Sequence, residues 1–203
     1  MTAMPEWILV FILFSLVVNI HLTRSLLIGL QDNMLLPLVL IFSRFCCQDS
    51  FVIGFILIPF TLCATLIQIK KGVERISEVS ARFALDTITT RMINIENKYA
   101  KHEISEEKSK VMKKNLQSEI DFFSRMDGAA KFISGSAKAI LFMTLIDIAG
   151  GIAIGYFMQE KSLLESITPA ILFTTGTVVL YCVPLIIISI ASVFCVTNKV
   201  LEH

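Results

Sequence analysis

Long uncharged apolar runs alternate with short polar interruptions along this chain. The first covers residues 7–23, from Trp7 until Arg24 ends it. Gln31, Asp32 and Asn33 break the pattern, and residues 34–43 form a brief apolar stretch before Arg44. A helix needs about 20 residues to cross a bilayer, so this stretch reads as re-entrant, interfacial or packed against other protein. Residues 51–69 are uncharged and stop at Lys70 and Lys71. At about 1.5 Å per residue they reach about 28 Å, close to the hydrocarbon thickness of a bilayer. Residues 139–158 read as the next span, interrupted only by Asp147, and residues 159–166 as a polar turn. Residues 167–197 carry no charge and exceed one upright span. The Thr174, Thr175, Gly176, Thr177 cluster is the natural break there, with residues 178–197 as the last spanning helix. The pattern predicts an all-α, polytopic membrane protein with about four spans.

The polar middle has its own pattern. Residues 70–138 hold 14 of the 18 basic and 10 of the 17 acidic side chains. The chain therefore divides into N-terminal membrane segments (1–69), a water-exposed helical insert (70–138) and C-terminal membrane helices (139–203). The basic excess places the insert, and both termini with it, on the cytoplasmic side. Val73, Ile76, Val79 and Phe83 fall on one helical face. Glu74, Glu78, Arg82 and Asp86 recur every four residues beside it. Glu78–Arg82 and Arg82–Asp86 thus stack opposite charges, each pair worth about 0.3 kcal/mol when exposed. A second helix is expected to start at Ser105, an N-cap followed by Glu106 and Glu107. Its apolar stripe is Met112, Leu116, Ile120 and Phe123, and Gly128 is expected to stop it.

Composition agrees with the pattern and narrows the chemistry. The chain is 55% hydrophobic and 17% charged, with a mean hydropathy of +0.74, whereas a soluble domain is about one quarter charged. A net charge of +1 and the lack of a basic patch interleaved with aromatics argue against a nucleic-acid partner. Cys46, Cys47, Cys63, Cys182 and Cys195 lie in or beside apolar runs without C-x-x-C spacing, as small buried apolar residues do. His21, His102 and His203 are scattered. No metal or cofactor is expected. No triad, phosphate-cradling loop or carboxylate pair is present, so the chain is not expected to be an enzyme.

Asp147 is the most informative single residue. A carboxylate at mid-bilayer is costly, and such a residue either lies on an ion or proton path or forms an inert polar contact between helices. Gly150, Gly151 and Gly155 follow it and suit close helix packing. Arg24, near the end of its run, can snorkel to the headgroups.

Two blocks in the insert carry a family resemblance. Lys71-Gly72-x-x-Arg75-Ile76-Ser77-Glu78-Val79-x-Ala81-Arg82-Phe83-x-Leu85-Asp86 resembles the signature of the FHIPEP family. Asp121-Phe122-Phe123-Ser124-Arg125-Met126-Asp127-Gly128-Ala129-Ala130-Lys131-Phe132 is similar to that family's D-F-Y-x-x-M-D-G-A-x-K-F, and the spacing between the blocks matches without gaps. Asn19 with Thr23-Arg24 resembles its L-N-x-x-x-T-R. Pro184-Leu185-Ile186-Ile187 stands where the family has I-P-A-L-L.

These are the inner-membrane export-gate proteins of bacterial flagellar and virulence type III secretion systems. The resemblance implies a bacterial inner-membrane component of a protein-export apparatus, with other export-membrane proteins as partners and a ring of copies in the bilayer. Glu78, Arg82 and Asp86 would then make charge contacts with neighbouring subunits, and Asp127 and Lys131 would hold the insert against the membrane. Arg91 keeps the charge of a family Lys, although the Pro-Gly turn of that loop is absent. Gly135-Ser136-Ala137 and Gly176-Thr177-Val178 each lack an acid that the family places there and links to proton coupling. Asp147, where family members have Asn, is the candidate to replace the acid lost at Ser136. A non-transporting remnant or assembly partner, and an independent small ion channel or carrier, are the alternative readings.

Overall fold

Inside a bilayer no water is available to backbone N–H and C=O groups, so an apolar run must satisfy them within itself. The computed structural model describes residues 4–28, 36–160 and 162–201, and every regular element among them is helical. The elements are α1 (Met4–Ile28), α2 (Leu36–Cys47), α3 (Phe51–Gln68), a π-helical turn (Ile69–Glu74), α4 (Arg75–Ala100), α5 (Glu106–Phe157) and α6 (Leu163–Leu201). Gln31, Asp32, Asn33 and His203 lie outside the described residues.

Four helical stretches are long and apolar enough to cross a membrane: α1, α3 with its continuation, α5 and α6. Their outer surfaces are lined by exposed large apolar side chains such as Phe14, Phe55, Phe142 and Ile187, the arrangement of a helix bundle whose solvent is lipid. The core lies between them, with Ile12, Met126, Ile133, Ile140 and Val196 among its fully covered side chains. Glu6 at the start of α1 pairs with Arg125 at 2.9 Å. Lys199 near the end of α6 shares a groove with Arg91 and Asn94. The start of α1, the end of α6 and the α4–α5 hairpin therefore meet at one end of the bundle.

Several local expectations are corrected by the packing. Residues 34 and 35 lie outside the described residues; 36–43 belong to α2, a 12-residue helix that packs along α6 and buries Val39, Ser43 and Cys47, one residue per turn. Packing against protein, one of the three placements left open for that stretch, is observed for its described part. Gly128 does not stop a helix: α5 runs unbroken for 52 residues, so insert and membrane share one rod of about 78 Å. The threonine cluster does not break α6 either. Thr174 donates to the Ala170 carbonyl at 2.7 Å, Thr175 to Ile171 at 2.8 Å and Thr177 to Thr174 at 2.9 Å. Polar side chains that bond back to their own helix can sit in it without interrupting it.

The junctions at residues 70 and 138 are likewise helical throughout. The first carries the π-turn, a place where helices change register; the second is interior to α5. Ser105 caps α5 as expected, accepting from the Lys108 N–H at 3.3 Å. The face of α4 differs from expectation. Val73 is buried, but Val79 and Phe83 are 43% and 68% exposed, while Ser77 and Ala81 are buried instead. Large α4 residues meet α5 farther along the helix, where Ile95 is buried with Leu116 and Ile120 and Ile88 and Met92 pack against them. The α5 stripe is as expected, with Leu116, Ile120 and Phe123 all buried and Met112 packed against them.

Candidate functional site

Two polar regions stand out, one among the spans and one on the hairpin. The intramembrane region is set by small residues one and two turns beyond Asp147. A Cβ on Gly151 would come within 2.9 Å of Ala170 Cβ, and one on Gly155 within 2.6 Å of Ser166 Oγ, so α6 lies directly against this face of α5. A Cβ on Gly150 would collide with the side chain of Leu27, so α1 lies against the next face. Asp147 is drawn into the seam between them and is 1% exposed.

The side chains facing it come from both neighbours. The hydroxyls of Thr23 on α1 and Thr177 on α6 stand beside its carboxyl. Thr177 spends its proton on the Thr174 carbonyl, and neither Thr23 Oγ1 nor Asp147 Oδ1 makes a hydrogen bond of acceptable geometry within the protein. Asn19 Oδ1, one turn before Thr23, and Tyr181 Oη, one turn after Thr177, are also buried without a partner. Ser136 does not join this group. It lies eleven residues earlier on α5, about 16 Å along the axis, and its hydroxyl donates to the Ile133 carbonyl at 2.8 Å. The carboxyl of Asp147 thus sits beside Thr177, the other position where the family acid is missing, and not beside Ser136. Arg24 is exposed and outside the seam.

On the hairpin, Arg82 Nη2 lies 3.5 Å from Glu78 Oε1. The expected second pair does not form: Arg82 turns back to Glu78, and Asp86 is exposed without it. Asp127 accepts from Lys131 Nζ at 2.7 Å. That bond and the Asp127 charge raise the Lys131 pKa above the ordinary lysine value, with Glu78 and Glu74 adding smaller attractions. Glu78, Asp127 and Lys131 are therefore neighbours at the base of the hairpin. Arg91 is apart from them and bridges to α5, with Nη1 at 3.1 and 3.2 Å from the two Glu119 oxygens. Asp147 is remote from all of these.

Sequence reasoning missed Glu119, Asn19, Thr23, Thr177 and Tyr181 as members of these regions. The polar pairs Asn19/Thr23 and Thr177/Tyr181, each four residues apart inside an apolar run, were the available signal. All five cysteines are free: Cys47 and Cys182 are buried, while Cys63 is exposed on α3, unlike the buried residue expected there. Among the described residues no cluster of three or more His, Cys, Asp or Glu side chains could hold a metal.

A helical bundle with lipid-like outer surfaces, one buried carboxyl in its interior and a charged hairpin grown from two of its helices defines a polytopic α-helical membrane protein. The chain belongs to the FHIPEP family, whose model matches residues 1–203. It is 34% identical to the flagellar biosynthesis protein FlhA of Borreliella burgdorferi over 98% of its own length and 29% of that protein's. The FlhA of Bacillus subtilis is 31% identical over 98% of the chain and 29% of that protein. Protein MxiA of Shigella flexneri is 29% identical over 96% of the chain and 28% of that protein. The chain thus spans under a third of the length of these relatives. No solved structure matches it.

Proposed function

We propose that this chain is a membrane component of a bacterial type III protein-export apparatus, of the export-gate kind. The observation that carries the reading is the family match along residues 1–203, with both signature blocks on the α4–α5 hairpin. In this reading the chain resides in the inner membrane, with the hairpin and both termini in the cytoplasm. It works without catalysis or a cofactor, among other export-membrane proteins and as a ring of copies.

The exposure of Glu78, Arg82 and Asp86 supports their use in contacts with neighbouring subunits, because none of them is consumed by the chain's own core. Asp127 and Lys131 hold the base of the hairpin, and Arg91 ties its two helices together. Asp147 is the candidate on an ion pathway.

The test is deletion of the gene with complementation by the full chain. Loss of protein secretion on deletion, with recovery of the export-membrane proteins on an affinity-tagged chain, is the expected result. Co-purification with those proteins but unchanged secretion would select an assembly partner without transport, a reading favoured by Ser136 and Thr177 standing where the family has acids. Failure to co-purify, with cation flux from the purified chain alone, would select an independent channel.

A further inference from the structure

The strongest unexplained feature of the molecule is the set of oxygens left without partners in the seam between α1, α5 and α6. Four of the five partnerless buried polar side-chain atoms among the described residues lie here: Asn19 Oδ1, Thr23 Oγ1, Asp147 Oδ1 and Tyr181 Oη. Asp147 is 99% covered and Asn19 96% covered. Buried polar groups are almost always satisfied, and those the protein leaves open are met by ordered water. The backbone adds one more acceptor. Pro184 has no N–H to give to the Leu180 carbonyl one turn earlier.

Two of these residues, Asn19 and Tyr181, border a shared space with Leu180. A cavity of about 100 Å³ between α1 and α6 is lined by Asn19, Thr177, Leu180, Tyr181 and Pro184, among others. That is room for several waters, each needing two to four polar neighbours. Thr177 belongs to both parts of the site, since it lines this cavity and also stands beside the Asp147 carboxyl.

We propose that α1 and α6 hold a hydration site within the membrane, where ordered water is bound by Asn19, Thr177, Tyr181 and the Leu180 carbonyl. Water is the ligand that fits because it both donates and accepts. Tyr181 needs an acceptor, whereas Asn19 Oδ1 and the Leu180 carbonyl need donors. A lipid chain entering past Phe11 and Phe14, which also line the cavity, would leave every one of those oxygens unsatisfied. The site reaches the Asp147 carboxyl only through Thr177. It rests on the membrane-embedded fold and not on the export reading.

The test is radiolytic hydroxyl-radical labelling of the full chain in lipid nanodiscs, because bound water generates the radical in place. Tyr181 should be labelled several-fold faster than Phe173, which is also buried, at 2% exposure. Asn19→Leu and Thr177→Val should remove that excess. Labelling of Tyr181 no faster than Phe173 overturns the site, and so does an excess that persists in both variants, which would trace it to bulk solvent.

Discussion

Gly176 and Gly128 are the same residue with opposite consequences. A Cβ on Gly176 would collide with the backbone carbonyl of Val39, and would lie 2.8 Å from Val39 Cγ1. A backbone atom cannot be moved aside cheaply. Gly176→Ala should therefore push α2 off α6 and destabilise the chain by about 1–3 kcal/mol, measured by reversible unfolding in mixed micelles. Gly128 meets nothing within 4 Å and sits exposed in the interior of α5. Gly128→Ala should stabilise the same protein by about 0.5–1 kcal/mol through helix propensity. Nothing in the one-dimensional pattern separates the two glycines. Each stands within a helical run, and only the neighbour on the adjacent helix decides which one is needed. Asp147 teaches the same point. Its oddity in an apolar run was plain from the sequence, but its companions were not, because Thr23 and Thr177 are far from it along the chain.

At the scale of the element, the α4–α5 hairpin is held by a cap, by apolar packing and by two ionic contacts, Arg91–Glu119 and Lys113–Glu96. Ala81→Leu should destabilise it by about 1–3 kcal/mol, since the extra volume falls where the helices touch. Phe83→Ala, on the exposed face, should stay within about 0.5 kcal/mol. Chemical denaturation followed at the hairpin would rank the two, and the ranking is opposite to the one hydrophobic periodicity alone gives. That periodicity found the α5 stripe and missed the α4 face for one reason. Leu116 and Ile120 are covered by Ile88, Met92 and Ile95, which lie beyond the residues from which the α4 face was read, whereas the turns that bear Ser77 and Ala81 present small side chains carrying little hydrophobic signal.

The Lys131–Asp127 contact has a pH signature. Because the lysine's pKa is raised in the folded chain, its contribution is fully present below the unfolded value near 10.5 and is lost as pH rises through the folded one. Thermal unfolding of wild type and Lys131→Gln should therefore differ at neutral pH and converge only above the usual lysine titration range.

At the scale of the molecule, the start of α1, the end of α6 and the hairpin share one end of the bundle, so a single experiment orients all of them. Lys108 and Lys113 on α5 should be protected from a membrane-impermeant amine reagent in intact cells and become reactive once the inner membrane is permeabilised. Reaction from the periplasm would invert the proposed topology.

Helical state, the position of the apolar stretches and the gathering of charge into residues 70–138 were set by the sequence alone. They follow from local causes: backbone groups that must pair within each apolar run, and side chains that carry their preference for lipid or water wherever they go. The tertiary structure decided that α5 and α6 continue where breaks were expected, that α4 turns Ser77 and Ala81 inward, that α2 leans on α6, and that Asp147 meets Thr23 and Thr177. Those outcomes depend on how closely two helices approach, and that distance is a property of the pair of surfaces in contact, which neither segment encodes by itself.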